Sequence, residues 1–397
     1  MAVKGRQVVV VGGGIGGLAA AIALRQRGAE VKVLEQAGAI REVGAGIQIS
    51  PNGMRVIHAL GLGPELVARS TRGRAVVLRD YRAGREVLRL DLTQLPSDQE
   101  YHFVHRADLV DLLAERARTD GVQIRLLQKA CAVQPGIAPQ VRLSNGDSCT
   151  GADLVIGADG LHSVLRAAIS GDAKPVFTGQ VAWRAIVPND MNHPPEATVH
   201  MGPGRHLVSY PLRDGSAVNI VAAEERRAWT PEGWAHEDNP ANLRAAFSGF
   251  GGRVPDLLRR VNRVGLWGLF RHPVAQRWYG DGVALLGDAA HPTLPFLAQG
   301  ANMALEDAWT LAACLDAQSD QRSALARYET LRRDRCRRIV AAANGNAWKY
   351  HLSNPLIRAA AHLGLGLAGK IAPLRMMRQF DWLYGYDVTA PGDHSGV

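Results

Sequence analysis

The sequence predicts an α/β chain in which a parallel, helix-flanked sheet is joined to a β-rich second domain and a C-terminal helical segment. Three observations lead there. A strand, a glycine turn, a helix, a second strand and an acidic residue follow one another within residues 7–35. A second buried-strand-to-loop segment, VALLGDAAHP, recurs far along the chain at 283–292. Between them, from about 175 to 225, the sequence reads as successive strands (VAWRAIV, HLVSYPL, AVNIVAA). A chain of 397 residues exceeds one ordinary core, since domains run roughly 100–200 residues.

Taken in order, Gln7–Val11 is a short β-branched run suited to a central strand buried on both faces. The glycine turn at 12–17 leads into LAAAIALRQRG, an Ala/Leu-rich helix ended by Gly28. AEVKVLE forms the next strand and ends in Glu35. Ser50-Pro51-Asn52-Gly53 marks a turn before a helix, and residues 71–92 alternate as a hairpin around Ala83-Gly84. His105-Arg106-Ala107-Asp108 opens a helix, and DLVIGADG at 153–160 reads as strand and loop. Residues 300–317, 322–343 and much of 346–380 look helical. Nucleotide-binding elements thus lie at both ends of the chain. The expected division is a discontinuous nucleotide domain (1–75, 102–173, 273–345), a β-rich domain (76–101, 174–272) and a C-terminal helical segment (346–397).

Composition narrows the function. Hydrophobic residues at 47% and charged residues at 21% are ordinary globular values, which excludes a disordered chain, a coiled coil or a collagen-like fibre. Forty-six basic against thirty-seven acidic residues leave +9, a modest excess that favours small anionic ligands over nucleic acid. The basic run at 332–338 sits on a helix without an aromatic platform and reads as a solvated face. Cys131, Cys149, Cys314 and Cys336 show no metal-ligand spacing, so no metal and no disulfide framework are expected. The apolar Val8–Leu24 stretch is glycine-rich and continues into the same βαβ unit, so a transmembrane segment is not expected. A cytoplasmic protein, monomer or homodimer, fits these features.

Gly12, Gly14 and Gly17 satisfy G-x-G-x-x-G. The first permits the tight turn, the second lets backbone approach a pyrophosphate, and the third allows close helix–strand packing. The N–H groups of Ile15, Gly16 and Gly17 open the helix that would receive the phosphate. Glu35 lies at the spacing of the acid that accepts from an adenosine ribose. The same spacing recurs at Gly364, Gly366 and Gly369, but no strand precedes it and Pro373 follows, so it reads as a small-residue helix or turn.

Together with this fingerprint, DLVIGADGLHSVLR (153–166) and GVALLGDAAHPTLPFLAQGANMALEDA (282–308) resemble the signatures of single-component FAD-dependent aromatic hydroxylases. HRADL (105–109), GPGRHLVSYPLR (202–213) and DWLYGYD (381–387) extend the resemblance over nearly the whole chain, toward the salicylate, 3-hydroxybenzoate 6- and 6-hydroxynicotinate 3-hydroxylase branch. The resemblance implies FAD, NADH or NADPH as reductant, dioxygen, and a small aromatic acid or phenol hydroxylated through a C4a-hydroperoxyflavin. The tryptophan-halogenase motif GWxWxIP is absent from the comparable VAWRAIVP (181–188). A flavin oxidoreductase without oxygen insertion, and a hydroxylase of a larger heteroaromatic such as a quinolone, remain alternatives.

By this resemblance Arg106 would bind FAD, and a cation at a helix N-terminus makes sense beside an anion. Asp288 would accept from the ribitol, or else cap a helix. Gly300, Ala301 and Asn302 would turn their N–H groups to the flavin, with Pro295 shaping the loop. Asp159 would contact FAD or nicotinamide, or else hold its own turn. His206 is the candidate general base. Tyr210 shares its strand face by period two, as a partner in proton handling or as half of a packed pair. Gln48 stands where the hydroxynicotinate enzymes imply histidine, and Pro295 where the 3-hydroxybenzoate enzymes imply glutamine. Arg184 or Arg205 could pair with a substrate carboxylate. His291 reads as structural.

Overall fold

In the computed structural model, residues 3–40, 45–171, 174–226, 228 and 236–390 are described. The boundary expected at 173 and the end of the C-terminal segment lie outside them. The expected fold class is the one observed: a Rossmann-like parallel sheet, a further large β-sheet and C-terminal helices.

The first sheet has six strands, in the order Tyr279–Gly280, Val283–Leu285, Leu154–Gly157, Gln7–Val11, Glu30–Leu34, Gln123–Arg125. All pairings are parallel except that of Tyr279–Gly280 at one edge. Val8, Val9, Val10 and Val11 are all buried, as a strand covered on both faces requires. The Ile15–Arg25 helix packs against the helices Arg106–Thr119 and Gly300–Ala317. Its run of Leu18 to Leu24 is wholly enclosed.

The second sheet has eight strands. Its centre is formed by Val176–Pro188, Ala217–Glu225, Arg205–Leu212 and Glu196–Gly202, in that order. The hairpin Ala75–Asp80/Glu86–Asp91 joins one edge by a parallel pairing to Glu196–Gly202. Gly84, at φ +67°, turns that hairpin where the sequence places it. One face of the sheet (Trp183, Leu207, Ile220) is sealed by Leu243, Phe247 and Leu257 from two short helices. The opposite face looks toward the parallel-sheet half of the molecule. A small antiparallel sheet, Gly46–Ile49/His102–His105/Ser70–Arg72, lies between the two halves. Its first strand is not evident from periodicity, being only four residues long.

One helical segment departs from the sequence reading. The Gln321–Tyr350 helix runs seven residues past the expected end at Ala343, which carries Tyr350 and His351 into the interior. Arg332, expected on a solvated face, is fully buried. Its guanidinium lies 2.6 Å from Glu306 and 2.8 Å from Asp307. Arg335 also meets Glu306, at 2.8 Å. A cation can be buried when paired carboxylates replace its water, and the Glu306-Asp307 doublet on the neighbouring helix supplies them. Gly364, Gly366 and Gly369 fall inside the Pro355–Ile371 helix. A Cβ on Gly369 would come 2.6 Å from Leu88, so the small residues let this helix lie close on the hairpin strand.

Candidate functional site

The glycine fingerprint forms a cradle that tolerates no side chain at two points. A Cβ on Gly12, whose φ is +109°, would sit 2.2 Å from the Ala158 carbonyl oxygen. One on Gly17 would sit 2.0 Å from the carbonyl oxygen of Gly12. Gly14 is the N-cap of the helix that starts at Ile15, so Ile15, Gly16 and Gly17 supply first-turn N–H groups. Glu35 accepts from Gly13 N–H at 2.7 Å and from Ala37 N–H at 2.8 Å. The remaining lone pairs of its two oxygens can accept ribose hydroxyls. These residues fit the adenosine diphosphate half of FAD.

At the other end, Asp288 follows the Val283–Leu285 strand in a short 3-10 turn. No described residue donates a hydrogen bond to its carboxylate. It is accessible to solvent yet raised above the usual carboxylate range by burial, which the His291, Arg106 and His272 charges only partly offset. Arg106, the first residue of its helix, is near enough to act on this carboxylate through its charge. The Gly300–Ala317 helix opens with Met303 N–H bonded to Gln299. The N–H groups of Gly300, Ala301 and Asn302 therefore have no intrahelical acceptor. The Asn302 side chain is already spent: Nδ2 donates to Gln48 O (3.0 Å) and Ala298 O (2.9 Å), and Oδ1 accepts from Ser50 N–H (3.0 Å). Only its backbone could serve a flavin. Ala298, at φ +53°, is a non-glycine residue in the left-handed region just ahead of this helix. Pro295 begins a 3-10 turn in the same loop.

Asp159 is engaged locally. Its carboxylate accepts from Ser163 Oγ at 2.5 Å and from Val164 N–H at 2.9 Å, and so holds the start of the Val164–Ser170 helix. His291 bonds buried Asp307, which also receives Arg332. Cys336 lies beside them, within 4.8 Å of both ligand atoms. The arginine cation holds the carboxylate that a metal would need.

The large sheet supplies the third part. His206, Val208 and Tyr210 lie on the face turned toward the parallel-sheet half, while Leu207 joins the sealed core behind. Strand register sets three rows across this face. Ala182, Ala223 and His206 form one, and Arg184, Val221 and Val208 the next. Ile186, Asn219 and Tyr210 form the third. The middle row is only half-buried although it lies at the centre of an eight-stranded sheet, so a hollow opens above it. Arg184 stacks over Trp267 with its guanidinium 4.8 Å from the ring centroid. Arg205 turns the other way, to the Ala246 carbonyl and Glu224, and is not part of this face. Gly46 N–H bonds Asn219 Oδ1 at 2.8 Å, and the Nδ2 of that buried asparagine has no partner among the described residues.

Around the hollow stand aromatic residues that periodicity could not single out. Tyr101 donates to Gln48 at 2.6 Å and packs edge-on to Tyr384 at 5.9 Å. Phe103 lies 5.2 Å from Tyr210, and Tyr350 5.2 Å from His206. Burial raises the Tyr210 hydroxyl far above its ordinary pKa, against the pull of Arg184 and a hydrogen bond with Gln48. His206 is buried, and desolvation holds it well below the usual histidine value, with the nearby His351 adding to the effect.

A dinucleotide cradle on a parallel sheet, facing a second sheet with a histidine, tyrosine and arginine, defines a class: the FAD-dependent aromatic monooxygenases. The sequence model of the FAD binding domain family matches residues 6–343, and the chain belongs to this family. It is 38% identical over 355 residues to 3-amino-4-hydroxybenzoate 2-monooxygenase of Streptomyces cremeus, covering 87% of this chain and 88% of that one. It is 36% identical to 3-hydroxybenzoate 6-hydroxylase of Polaromonas naphthalenivorans, with 96% of each chain covered. Klebsiella pneumoniae HpxO, solved with FAD and uric acid, superposes with a TM-score of 0.83 at 27% identity over 95% of this chain and 97% of that one. No helix among the described residues is long and apolar enough to cross a membrane.

Proposed function

We propose that this enzyme uses NADH or NADPH and dioxygen to hydroxylate a small aromatic acid bearing a ring phenol, with aminohydroxybenzoates and hydroxybenzoates first among the candidates. One observation carries the reading. His206, Arg184 and Tyr210 project from adjacent register rows of one sheet face, around the half-buried Val208 and Val221 and beside the loop that carries Pro295 and Phe296. A planar guanidinium suits a carboxylate, and a neutral imidazole suits a phenolic proton. The names of the two hydroxybenzoate-acting relatives support the substrate class.

When bound, FAD supplies the reductive activation of dioxygen and the oxygen that enters the ring. The chain's residues do the rest. Gly12, Gly14, Ile15, Gly16, Gly17 and Glu35 hold the adenosine half, Arg106 and Asp288 the middle, and the Gly300–Asn302 N–H groups with Pro295 the ring. Asp159 contributes mainly by fixing its loop. Arg184 takes the substrate carboxylate, while Gln48 and Tyr210 orient the ring. His206 removes the phenolic proton, which enriches the ring carbons for attack. The tyrosines and Phe296, whose ring lies 5.4 Å from that of His206, exclude water. The protein works in the cytoplasm as a monomer or homodimer.

The test is oxidation of NADH and NADPH by FAD-loaded protein against hydroxybenzoates, 3-amino-4-hydroxybenzoate, hydroxynicotinates and hydroxyquinolines, with products identified by mass. The expected result is stimulation by a phenolic benzoate with a gain of one oxygen from labelled dioxygen. Stimulation with no oxygen gained by any ring would overturn it.

A further inference from the structure

His206 does not end the chain of titratable groups. Its Nδ1 lies 2.7 Å from Nε2 of His351, and the other nitrogen of His351, Nδ1, lies 3.0 Å from Oε1 of Glu225. His206 and His351 are 2% and 4% exposed, whereas the Glu225 side chain is 52% exposed. Three groups therefore run in line from the candidate substrate hollow to bulk water. They come from three separate places: the Arg205–Leu212 strand, the residue that caps the Gln321–Tyr350 helix, and the end of the Ala217–Glu225 strand.

We propose that His351 and Glu225 form a proton relay that fixes the tautomer of His206 and carries the substrate's phenolic proton to solvent. This rests on the reading of His206 as the base. The order of bonds follows from donor and acceptor inventory. An ionised Glu225 can only accept, so His351 carries its proton on Nδ1. Its Nε2 is then a lone pair and must accept from His206 Nδ1–H. That leaves Nε2 of His206 unprotonated, as a general base needs. When that nitrogen takes the phenol proton, His206 Nδ1–H passes to His351 Nε2, and His351 Nδ1–H passes to Glu225 and on to water. As far as Glu225 three bonds to hydrogen break and three form, release to water exchanges one more, and the phenolate stays behind. The reverse passage, as the product regains its phenol, restores the starting tautomers.

Energetics favour a relay over a lone base. A histidine as deeply desolvated as His206 holds a proton poorly, and an imidazolium trapped in an apolar site is expensive. Moving the charge to an exposed carboxylate removes that cost. The other groups facing the relay are few. Tyr350 and Phe296 pack on His206. Burial opposes protonation of His351 and Glu225 favours it, while the Arg205 charge adds to the burial, which prevails. Arg205 is itself paired to Glu224 at 3.3 Å.

Nitrogen-15 NMR of histidine-labelled, FAD-loaded full-length protein tests the tautomers. Nδ1–H on both rings is expected, with the His351 signals moved by Glu225→Gln. A His206 protonated on Nε2, with its lone pair toward His351, overturns the relay. Turnover with 3-amino-4-hydroxybenzoate and 3-hydroxybenzoate supplies the second readout. His351→Ala is expected to lower kcat about tenfold or more at unchanged flavin content, with partial recovery in added imidazole. Glu225→Gln, at an exposed position, is expected to lower the plateau and move the acid limb of the pH profile to lower pH, because His351 loses the charge that favours its protonation. Unchanged kcat and pH profile in both variants, with His206→Ala inactive, would sink the relay and leave the base. An active His206→Ala would sink both.

Discussion

At Gly12 a methyl group would collide with the Ala158 carbonyl, and the backbone is already in the left-handed region. Gly12→Ala is expected to abolish FAD retention while the chain still expresses, read as the flavin-to-protein absorbance ratio. Asp288, proposed to hold the cofactor, has no described hydrogen-bond partner of its own. Asp288→Ala should weaken FAD binding by about ten- to a hundredfold, from the loss of a charge-assisted bond of roughly 1.5–3 kcal/mol, and a flavin titration unchanged from wild type would refute the role. His206→Ala should keep flavin and lose about a hundredfold or more in hydroxylation. Arg184→Lys retains the charge but not the fork, so it should raise KM for a carboxylated ring more than it lowers kcat. The residue scale is also where sequence reading ran shortest. Period two puts His206 and Tyr210 on one face of a strand, and Arg184 lies on another strand of the same sheet. His351, Glu225, Tyr101 and Tyr350 sit at element ends, and no local pattern says that 145 residues of separation close to a hydrogen bond.

At the scale of elements, periodicity and caps did most of the work. The Gln7–Val11 strand, the Ile15–Arg25 helix and the Gly300–Ala317 helix follow from buried runs and glycine punctuation. The Gln321–Tyr350 helix shows why the rest was hidden. Its arginines look like a solvated face until the neighbouring Glu306 and Asp307 are placed beside them, a fact that only tertiary packing holds. Arg332→Met, which removes a buried cation and leaves Glu306 to Arg335 and Asp307 to His291, is expected to cost about 3–5 kcal/mol in a urea unfolding series. Asp159 carries a smaller element-scale load. Its bonds to Ser163 and Val164 predict a loss of about 1 kcal/mol for Asp159→Ala in the flavin-free protein, separable from any loss of FAD affinity by comparing apo and loaded forms.

For the whole molecule, buried neutral histidines link stability to pH. Burial lowers His200 from 6.5 to about 4, and it also lowers His193 and His206. The unfolded chain binds these protons first, so the stability they confer is complete above about pH 6.5 and is lost as pH falls toward 4. His291 has the opposite sign, since Asp307 and Cys336 raise it against desolvation. Its contribution is present at low pH and is lost only as pH climbs through its raised value. Denaturant midpoints should therefore fall between pH 7 and 5, and His200→Gln should flatten that slope, by on the order of 3 kcal/mol at full protonation.

The Arg205–Leu212 strand belongs to two cores at once, with alternate residues committed to opposite sides. On the proposed reading, drift at Val208 or Val221 reshapes the room offered to a ring while Leu207 and Ile220 keep the fold. Chemistry and selectivity are thereby free to diverge on separate evolutionary clocks. One scaffold could pass among related aromatic acids through single methyl-sized steps at even-numbered positions of this strand.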